Sequence, residues 1–238
     1  MLTLTQNLAE NLRNVRNRLE RAAADSGRSV SCVTLLAVSK TQPSEQIAAL
    51  ADLGQRDFGE NYLQEALPKL AALRTRPLVW HFIGQLQSNK TRPVAEHFDW
   101  VHTVDRLRLA ERLSAQRPFH APPLKVCIQV RIGTEASKGG ADAAELPGLV
   151  SAIRDLPRLE LRGLMCLPPP ETDYARQRAW LARLRELRDR LGGPRLLPDL
   201  SMGMSADLEA AVAEGATLVR IGTALFGPRP AAARTMDA

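Results

Sequence analysis

Only five lysines stand among the 32 basic side chains of this 238-residue chain, and one of them, Lys40, closes the apolar run Thr34-Leu35-Leu36-Ala37-Val38-Ser39-Lys40. Such a run reads as a buried strand with a primary amine at its carboxyl end. A desolvated amine gives up its proton more readily than a solvated one, and the neutral amine is the form that attacks a carbonyl to make a Schiff base. An aldehyde cofactor is the ligand class that would suit this residue. A lysine that lays its stem along apolar surface and keeps its head in water accounts for the same placement with no ligand at all.

Two later segments bear on that choice. One is Ser201-Met202-Gly203-Met204-Ser205-Ala206-Asp207 and the other is Arg220-Ile221-Gly222-Thr223-Ala224, each following an apolar run and each reading as a loop that opens a helix. Helix amino termini present unpaired N–H groups and a positive dipole end, which together favour a phosphate dianion. In this reading Gly203 lets the backbone approach the ligand, Ser205 caps the helix that follows, and Met204, Gly222 and Thr223 share the rim, with hydroxyl donors from Ser205 and Thr223. Either segment alone is equally an ordinary helix cap. Together with Lys40 they make a site for a phosphorylated aldehyde.

Arg220 is costly amid Leu218, Val219 and Ile221 unless something pairs with it. Either a carboxylate on a neighbouring strand does so, or the guanidinium donates to the ring nitrogen of a pyridine cofactor. The second arrangement would keep that nitrogen unprotonated and restrain the ring as an electron sink. Asn61, within Phe58-Gly59-Glu60-Asn61-Tyr62, and His81, within Trp80-His81-Phe82-Ile83-Gly84, fall where strand carboxyl ends are expected and are candidates to line the same mouth. His81 reads equally as a core histidine. No metal-ligand spacing joins His81, His97, His102 and His120, and no GxSxG nucleophile elbow occurs.

The elements that must gather these residues alternate along the chain. Leu8, Leu12, Val15 and Leu19 form one stripe of a helix over about 5–24, ended by Asp25-Ser26-Gly27. Apolar, β-rich runs follow near 33–39, 57–59, 79–83, 99–103, 124–132, 159–166, 198–201 and 217–221, with helical patterns between them. Eight strands with intervening helices predict an α/β fold, a single (β/α)8 TIM barrel with an extra N-terminal helix, whose ligands sit at the strands' carboxyl ends and whose phosphates sit after strands seven and eight. A doubly wound sheet would show the same alternation, but no GxGxxG follows the first strand. One domain over 1–228 and a flexible tail over 229–238 are expected.

Bulk properties narrow the function classes. With 45% hydrophobic and 24% charged residues, the chain has the composition of an ordinary globular protein. The net charge of +6 raises nucleic acid as a partner, but the densest basic stretch, Arg176 to Arg190, carries Glu186 and Asp189 and sets Trp180, Leu184, Leu187 and Leu191 at helical spacing. It reads as an amphipathic helix with a solvated arginine face and a Glu186–Arg190 i,i+4 pair. Neither nucleic acid nor membrane is expected as a partner, and the start lacks an apolar secretory segment, so the cytoplasm is the expected location. Cys32, Cys127 and Cys166 have no paired spacing; Cys127 and Cys166 read as small core hydrophobes.

Taken in order, Ala37-Val38-Ser39-Lys40-Thr41, Phe58-Gly59-Glu60-Asn61-Tyr62, His81-Phe82-Ile83-Gly84, Leu86-Gln87-Ser88-Asn89-Lys90, Gly163-Leu164-Met165, Ser201 to Ser205 and Arg220 to Thr223 resemble the pyridoxal 5′-phosphate (PLP) homeostasis family over most of the chain. The resemblance implies a barrel like the amino-terminal domain of alanine racemase, with Lys40 as the Schiff-base lysine, Arg220 at the pyridine nitrogen, and the 201–205 loop with Gly222-Thr223 as the phosphate cradle. It further implies a protein that holds PLP as a lysine aldimine and balances PLP and amino-acid pools without established turnover, with PLP-dependent apoenzymes as partners; a monomer is expected. Arg131 and Gly140 depart from the family pattern, which has asparagine and a bulkier apolar residue there, and Lys138 lies between them. The competing reading is a PLP-dependent, racemase-like enzyme. Racemisation needs acid/base groups on both faces of the substrate carbon, and only Tyr62 and Tyr174 are available as tyrosines. A third reading, an interaction protein with an arginine face, would use the 176–190 helix.

Overall fold

The protein, seen in a computed structural model, is described over residues 3–133 and 139–227. Its elements run α1 (Leu4–Asp25), β1 (Thr34–Val38), α2 (Ser44–Asp52), β2 (Asp57–Glu60), α3 (Leu63–Ala72), β3 (Val79–Phe82), α4 (Thr91–His97), β4 (Trp100–Val104) and α5 (Leu107–Gln116). They continue with β5 (Leu124–Gln129), α6 (Leu146–Arg154), β6 (Leu159–Met165), α7 (Tyr174–Arg190), α8 (Gly193–Leu196), β7 (Asp199–Ser201), α9 (Leu208–Ala213), β8 (Leu218–Ile221) and α10 (Thr223–Phe226). The eight strands close in sequence order into a parallel barrel, β8 returning to β1 with Leu36 opposite Arg220 and Ala37 opposite Ile221. This is the barrel and the extra helix that the alternation predicts, with each strand within a few residues of its expected place. The expected tail over 229–238 lies outside the described residues.

Helix α1 begins with a capping box, in which Thr3 accepts from Gln6 N and Gln6 accepts from Thr3 N. Its stripe Leu8, Leu12, Val15 and Leu19 is buried as expected. Residues beside that stripe do more than cover the barrel. Asn11 Nδ2 donates to Leu225 O at 2.9 Å, and Arg18 donates to Ser205 O at 3.0 Å while pairing with Glu209 at 2.8 Å. The additional helix thus ties down the loop after β7 and the short helix α10 that follows β8.

Period-two alternation divides the strand side chains between two apolar regions. The larger fills the space between strands and helices and includes Phe58, Val101, Ile128 and Val219. The smaller gathers Trp100, Cys127, Met165 and Leu218, with Val79 and Leu167 against it, on the barrel's inner side. Burial pushes the Cys166 thiol up to about 12 and the Cys127 thiol higher still, so both act as hydrophobes, whereas Cys32 is exposed.

Helix α7 departs from its expected face. The buried positions are Gln177, Leu181, Leu184 and Arg188; Trp180, Leu187 and Leu191 are only partly covered. Neighbouring α9 sets this rotation, since Arg178 and Arg185 both reach Glu214 just beyond it, at 2.7 and 3.1 Å. The i,i+4 ion pair is Arg185–Asp189 at 3.6 Å rather than Glu186–Arg190; Glu186 instead approaches Arg185. Among the described residues no helix is long and apolar enough to cross a membrane.

Where β6 meets β7, a Cβ on Gly163 would stand 1.7 Å from Asp199 O, and backbone cannot yield as a flexible side chain does. Gly163→Ala is expected to lower stability by about 3 kcal/mol or more, measured by urea denaturation; an unchanged midpoint would contradict this account of the strand contact.

Candidate functional site

Strand β1 ends at Val38, and the chain turns through Ser39–Gln42, with Gln42 N donating to Ser39 O at 3.0 Å. Thr41 takes φ +64°, a conformation that a β-branched residue adopts only under constraint. The constraint is a cluster beneath the turn. Ser39 Oγ donates to Glu60 Oε1 at 2.7 Å, Lys69 Nζ donates to Glu60 Oε1 and to Ser39 O at 2.9 Å each, and Thr41 N donates to Glu65 Oε2 at 3.0 Å. Lys40 follows directly on Ser39, so its backbone is held on one side by this buried ion pair and on the other by Glu65. Burial pushes the Glu60 carboxyl above the usual carboxylate range, against the downward pull of Lys69 and Ser39, and its Oε2 has no hydrogen-bond partner among the described residues.

A cavity of about 810 Å³ opens at this end of the barrel. Lys40, Asn61, Met204, Ser205, Arg220, Gly222 and Thr223 all border it, with apolar wall from Val38, Ile83, Leu167, Trp180 and Phe226. Asn61 Oδ1 is buried there without a protein partner among the described residues. An amide can turn either its oxygen or its nitrogen toward a ligand, so this group suits one polar atom of an occupant. Its position depends on Gly84, where a Cβ would fall 1.9 Å from Asn61 O.

The two loops meet differently from expectation. Ser205 does not cap α9: its Oγ accepts from Ala224 N at 3.4 Å, joining the loop after β7 to the start of α10. Asp207 stands at the amino end of α9 and folds its carboxylate back onto Met204 N at 2.6 Å. Gly203, at φ +94°, does not border the cavity; a Cβ there would meet Ala211 Cβ at 2.4 Å, so glycine is needed for packing on α9 rather than for ligand approach. Gly203 O accepts from Arg220 N at 2.9 Å.

Arg220 is 4% exposed, and among the described residues its guanidinium bonds neutral acceptors, Ser201 Oγ and Cys166 O, each at 2.8 Å. The strand-to-strand salt bridge considered for it is not formed among these residues. Ser201 does not border the cavity, and neither does His81, which is the core histidine of the two readings offered for it. Instead, Ser201 Oγ meets His102 Nδ1 at 2.7 Å, His102 Nε2 meets His81 Nδ1 at 2.9 Å, and His81 Nε2 meets Asp57 Oδ1 at 3.1 Å. Both imidazoles are fully buried, and desolvation holds both below the ordinary histidine range.

Sequence reasoning did not find Lys69, Glu60, His102 or Asp57 as members of this assembly. A period-two reading of β2 to β4 would have set Asp57, His81 and His102 on one face, but their partners are on other strands. At the departures from the family pattern, Arg131 pairs with Asp142, and Gly140 holds φ +143° with Arg131 N 2.8 Å from where a Cβ would stand, so a bulkier residue does not suit this backbone. Lys138 lies outside the described residues. Among these residues no cluster of three or more potential metal ligands occurs.

The family model of the alanine racemase N-terminal domain matches residues 5–230. Over 222 residues the chain is 58% identical to the pyridoxal phosphate homeostasis protein of Pseudomonas aeruginosa, covering 93% of this chain and 96% of that one. The chain belongs to the pyridoxal phosphate homeostasis protein family. Its Escherichia coli K12 relative of the same name is 53% identical over 229 residues, covering 93% and 97%. Among solved structures, PipY of Synechococcus elongatus, solved with PLP bound, superposes with a TM-score of 0.79 at 40% identity, over 92% of this chain and all of that one. Alanine racemase from Corynebacterium glutamicum, at 20% identity and a TM-score of 0.69 over 96% of this chain and 63% of that one, shares the fold.

Two expectations follow from the buried groups. Lys69→Met leaves the Glu60 carboxylate uncompensated and should cost about 3–5 kcal/mol in urea denaturation, partly restored by adding Glu60→Gln; an equal loss in the double variant would refute the pairing. For the histidines, the unfolded chain takes up protons near pH 6.5 while the folded imidazoles take them up only below that. Their contribution is therefore present above the unfolded value and is lost as pH falls, by up to about 1.4 kcal/mol per pH unit for each group. Urea midpoints compared at about pH 7.5 and about pH 5.5 should show that loss, and less of it in His102→Gln.

Proposed function

We propose that this protein binds PLP in the cavity at the carboxyl ends of the strands, attaches it through Lys40, and serves PLP homeostasis by holding the cofactor and releasing it to PLP-dependent apoenzymes without catalytic turnover. On this reading residues 1–228 form one cofactor-binding domain. The observation that carries it is that one cavity is bordered by an amine in the turn after β1, a guanidinium on β8, and the two loops after β7 and β8. Support comes also from the homeostasis name shared by relatives at 53–58% identity and from the PLP bound by PipY.

The residues fit the cofactor by their chemistry. The orphaned amide of Asn61 meets the need of a planar heteroaromatic ligand for a polar partner at its edge, and Val38, Ile83 and Leu167 offer apolar wall to a ring. Ser205, Gly222 and Thr223 border the same space, and their N–H groups and hydroxyls would suit a phosphate group, whereas Met204 N is taken by Asp207. When bound, PLP supplies an aldehyde that a lysine amine can condense with and a ring that withdraws electrons from attached groups. Arg220 has only donors to offer, so it would hold a ring nitrogen as an acceptor and limit that withdrawal. That limit favours holding over turnover. Tyr62 and Tyr174 are about half exposed, at 52% and 50%, and neither borders the cavity, so neither is placed as a second acid/base group.

Protein incubated with PLP should be yellow, and after borohydride reduction should gain one cofactor mass that peptide mapping assigns to Lys40. Lys40→Ala should lose the colour and that adduct. A colourless wild type, or an adduct spread over other lysines with none at Lys40, would overturn the binding site. Solvent deuterium entering the α-carbon of a single-enantiomer amino acid with turnover, in heavy water, would overturn the non-catalytic reading in favour of a racemase-like enzyme.

A further inference from the structure

We infer that Ser201, His102, His81 and Asp57 form a one-way hydrogen-bond chain that crosses the barrel from Arg220 to its opposite face and fixes how Arg220 meets the ring nitrogen of the cofactor. The inference rests on the function proposed above. The four are positioning residues, since only Arg220 of this chain borders the cofactor cavity.

The direction of the chain follows from the chemistry at its ends. Arginine has no acceptor, so Arg220 must donate to Ser201 Oγ. At the other end the Asp57 carboxylate can only accept, so His81 donates to it from Nε2 and, as a neutral ring, is bare at Nδ1. His81 Nδ1 then accepts from His102 Nε2–H, which leaves the neutral His102 bare at Nδ1 to accept the Ser201 hydroxyl proton. Reversal would require the Asp57 carboxylate to donate. A second proton on His81 would set its Nδ1–H against the Nε2–H of His102. The two ends therefore dictate both tautomers and the rotamer of a buried hydroxyl.

The surroundings hold the chain in place. Trp100 stacks on His81 with centroids 5.4 Å apart and planes 11° apart, and it also meets His102 at 5.6 Å. Lys125 and Arg162 lie over Trp100 at 5.3 and 5.8 Å, which favours the indole remaining there. Asp57 borders a separate cavity of about 330 Å³ at the amino-terminal face, along with Arg16, Glu20 and Arg56. Its side chain is 26% exposed while His81 is fully buried. The carboxylate thus remains partly solvated at one end, and a positive group is sequestered at the other. Between them, hydrogen bonds in a water-excluded interior polarise one another along one direction. Arg220 consequently has an acceptor pinned beneath Nη1, while Cys166 O holds Nη2. Further guanidinium N–H groups remain, and Arg220 borders the cofactor cavity.

The chain can be read without cofactor. In the apoprotein, two-bond proton–nitrogen correlation should show His81 and His102 neutral with the proton on Nε2 in both. Either ring found protonated on Nδ1 would overturn the inference whether or not the protein binds PLP. In the holoprotein, loaded with PLP labelled with ¹⁵N in its ring, His102→Leu should shift the ring-nitrogen resonance and the visible absorption band and weaken PLP retention by about tenfold. Asp57→Asn keeps an acceptor but removes the charge, so it should shift the same signals less and leave retention close to wild type. Should His102→Leu fail to fold, Asp57→Asn and the apoprotein spectra decide. Variants that load on Lys40 with unchanged resonance and absorption would overturn the inference and leave the proposed binding site standing. Failure of the wild type to load would sink the binding site while the apoprotein spectra still test the chain.

Discussion

A guanidinium cannot be taken out of water without replacements for the hydrogen bonds it loses, and Arg220 finds them in Ser201 Oγ and Cys166 O inside a closed barrel. Neither acceptor is charged. The positive group is instead linked by four hydrogen bonds to Asp57 at the other face, through two imidazoles kept neutral by burial. Much of the barrel interior answers to that requirement: the shallow stack of Trp100 on His81, the two buried histidines, and the serine at the end of β7. A barrel packed only with aliphatic layers would need none of these.

Lys40 is governed by a second buried charge. Lys69 and Glu60 meet beneath the turn, and together they bond both the hydroxyl and the carbonyl oxygen of Ser39. An ion pair in that setting contributes little net stability, because desolvating the two charges offsets their attraction. It imposes position. The turn carries a threonine at φ +64°, a conformation costing on the order of 1–3 kcal/mol that persists only where surroundings over-determine it. The extra helix α1 does for the opposite rim what this pair does for β1, holding Ser205 O and Leu225 O from outside the barrel. Amine, guanidinium and loops are thereby held by separate struts around one cavity.

Elements with a strong local signal were legible in advance. The alternation of apolar runs with helical patterns led to the closed barrel, and the stripe Leu8, Leu12, Val15, Leu19 to α1. Helix α7 was legible as a helix but not in its rotation, because Arg178 and Arg185 turn toward Glu214, a partner remote in sequence. Ser205 and Gly203 were singled out correctly as unusual and misread in role. A serine before a helix looks like a cap whether it bonds its own helix or, as here, Ala224 N on the next loop. A glycine in a loop looks the same whether a ligand or Ala211 requires the missing Cβ.

Residue order by itself determined the strand and helix succession, the amine just past the first strand, the arginine in the eighth and the glycine-bearing loops beside it, because those signals are carried by neighbours within about four positions of one another. The burial of His81 below the mouth, the Lys69–Glu60 support under Lys40 and the run of hydrogen bonds from Arg220 to Asp57 were decided only when the barrel closed. Closure sets Leu36 opposite Arg220 and brings strands distant in sequence to hydrogen-bonding range. Donor and acceptor roles across such a gap have no trace in local spacing, since each is settled by what the partner strand happens to offer.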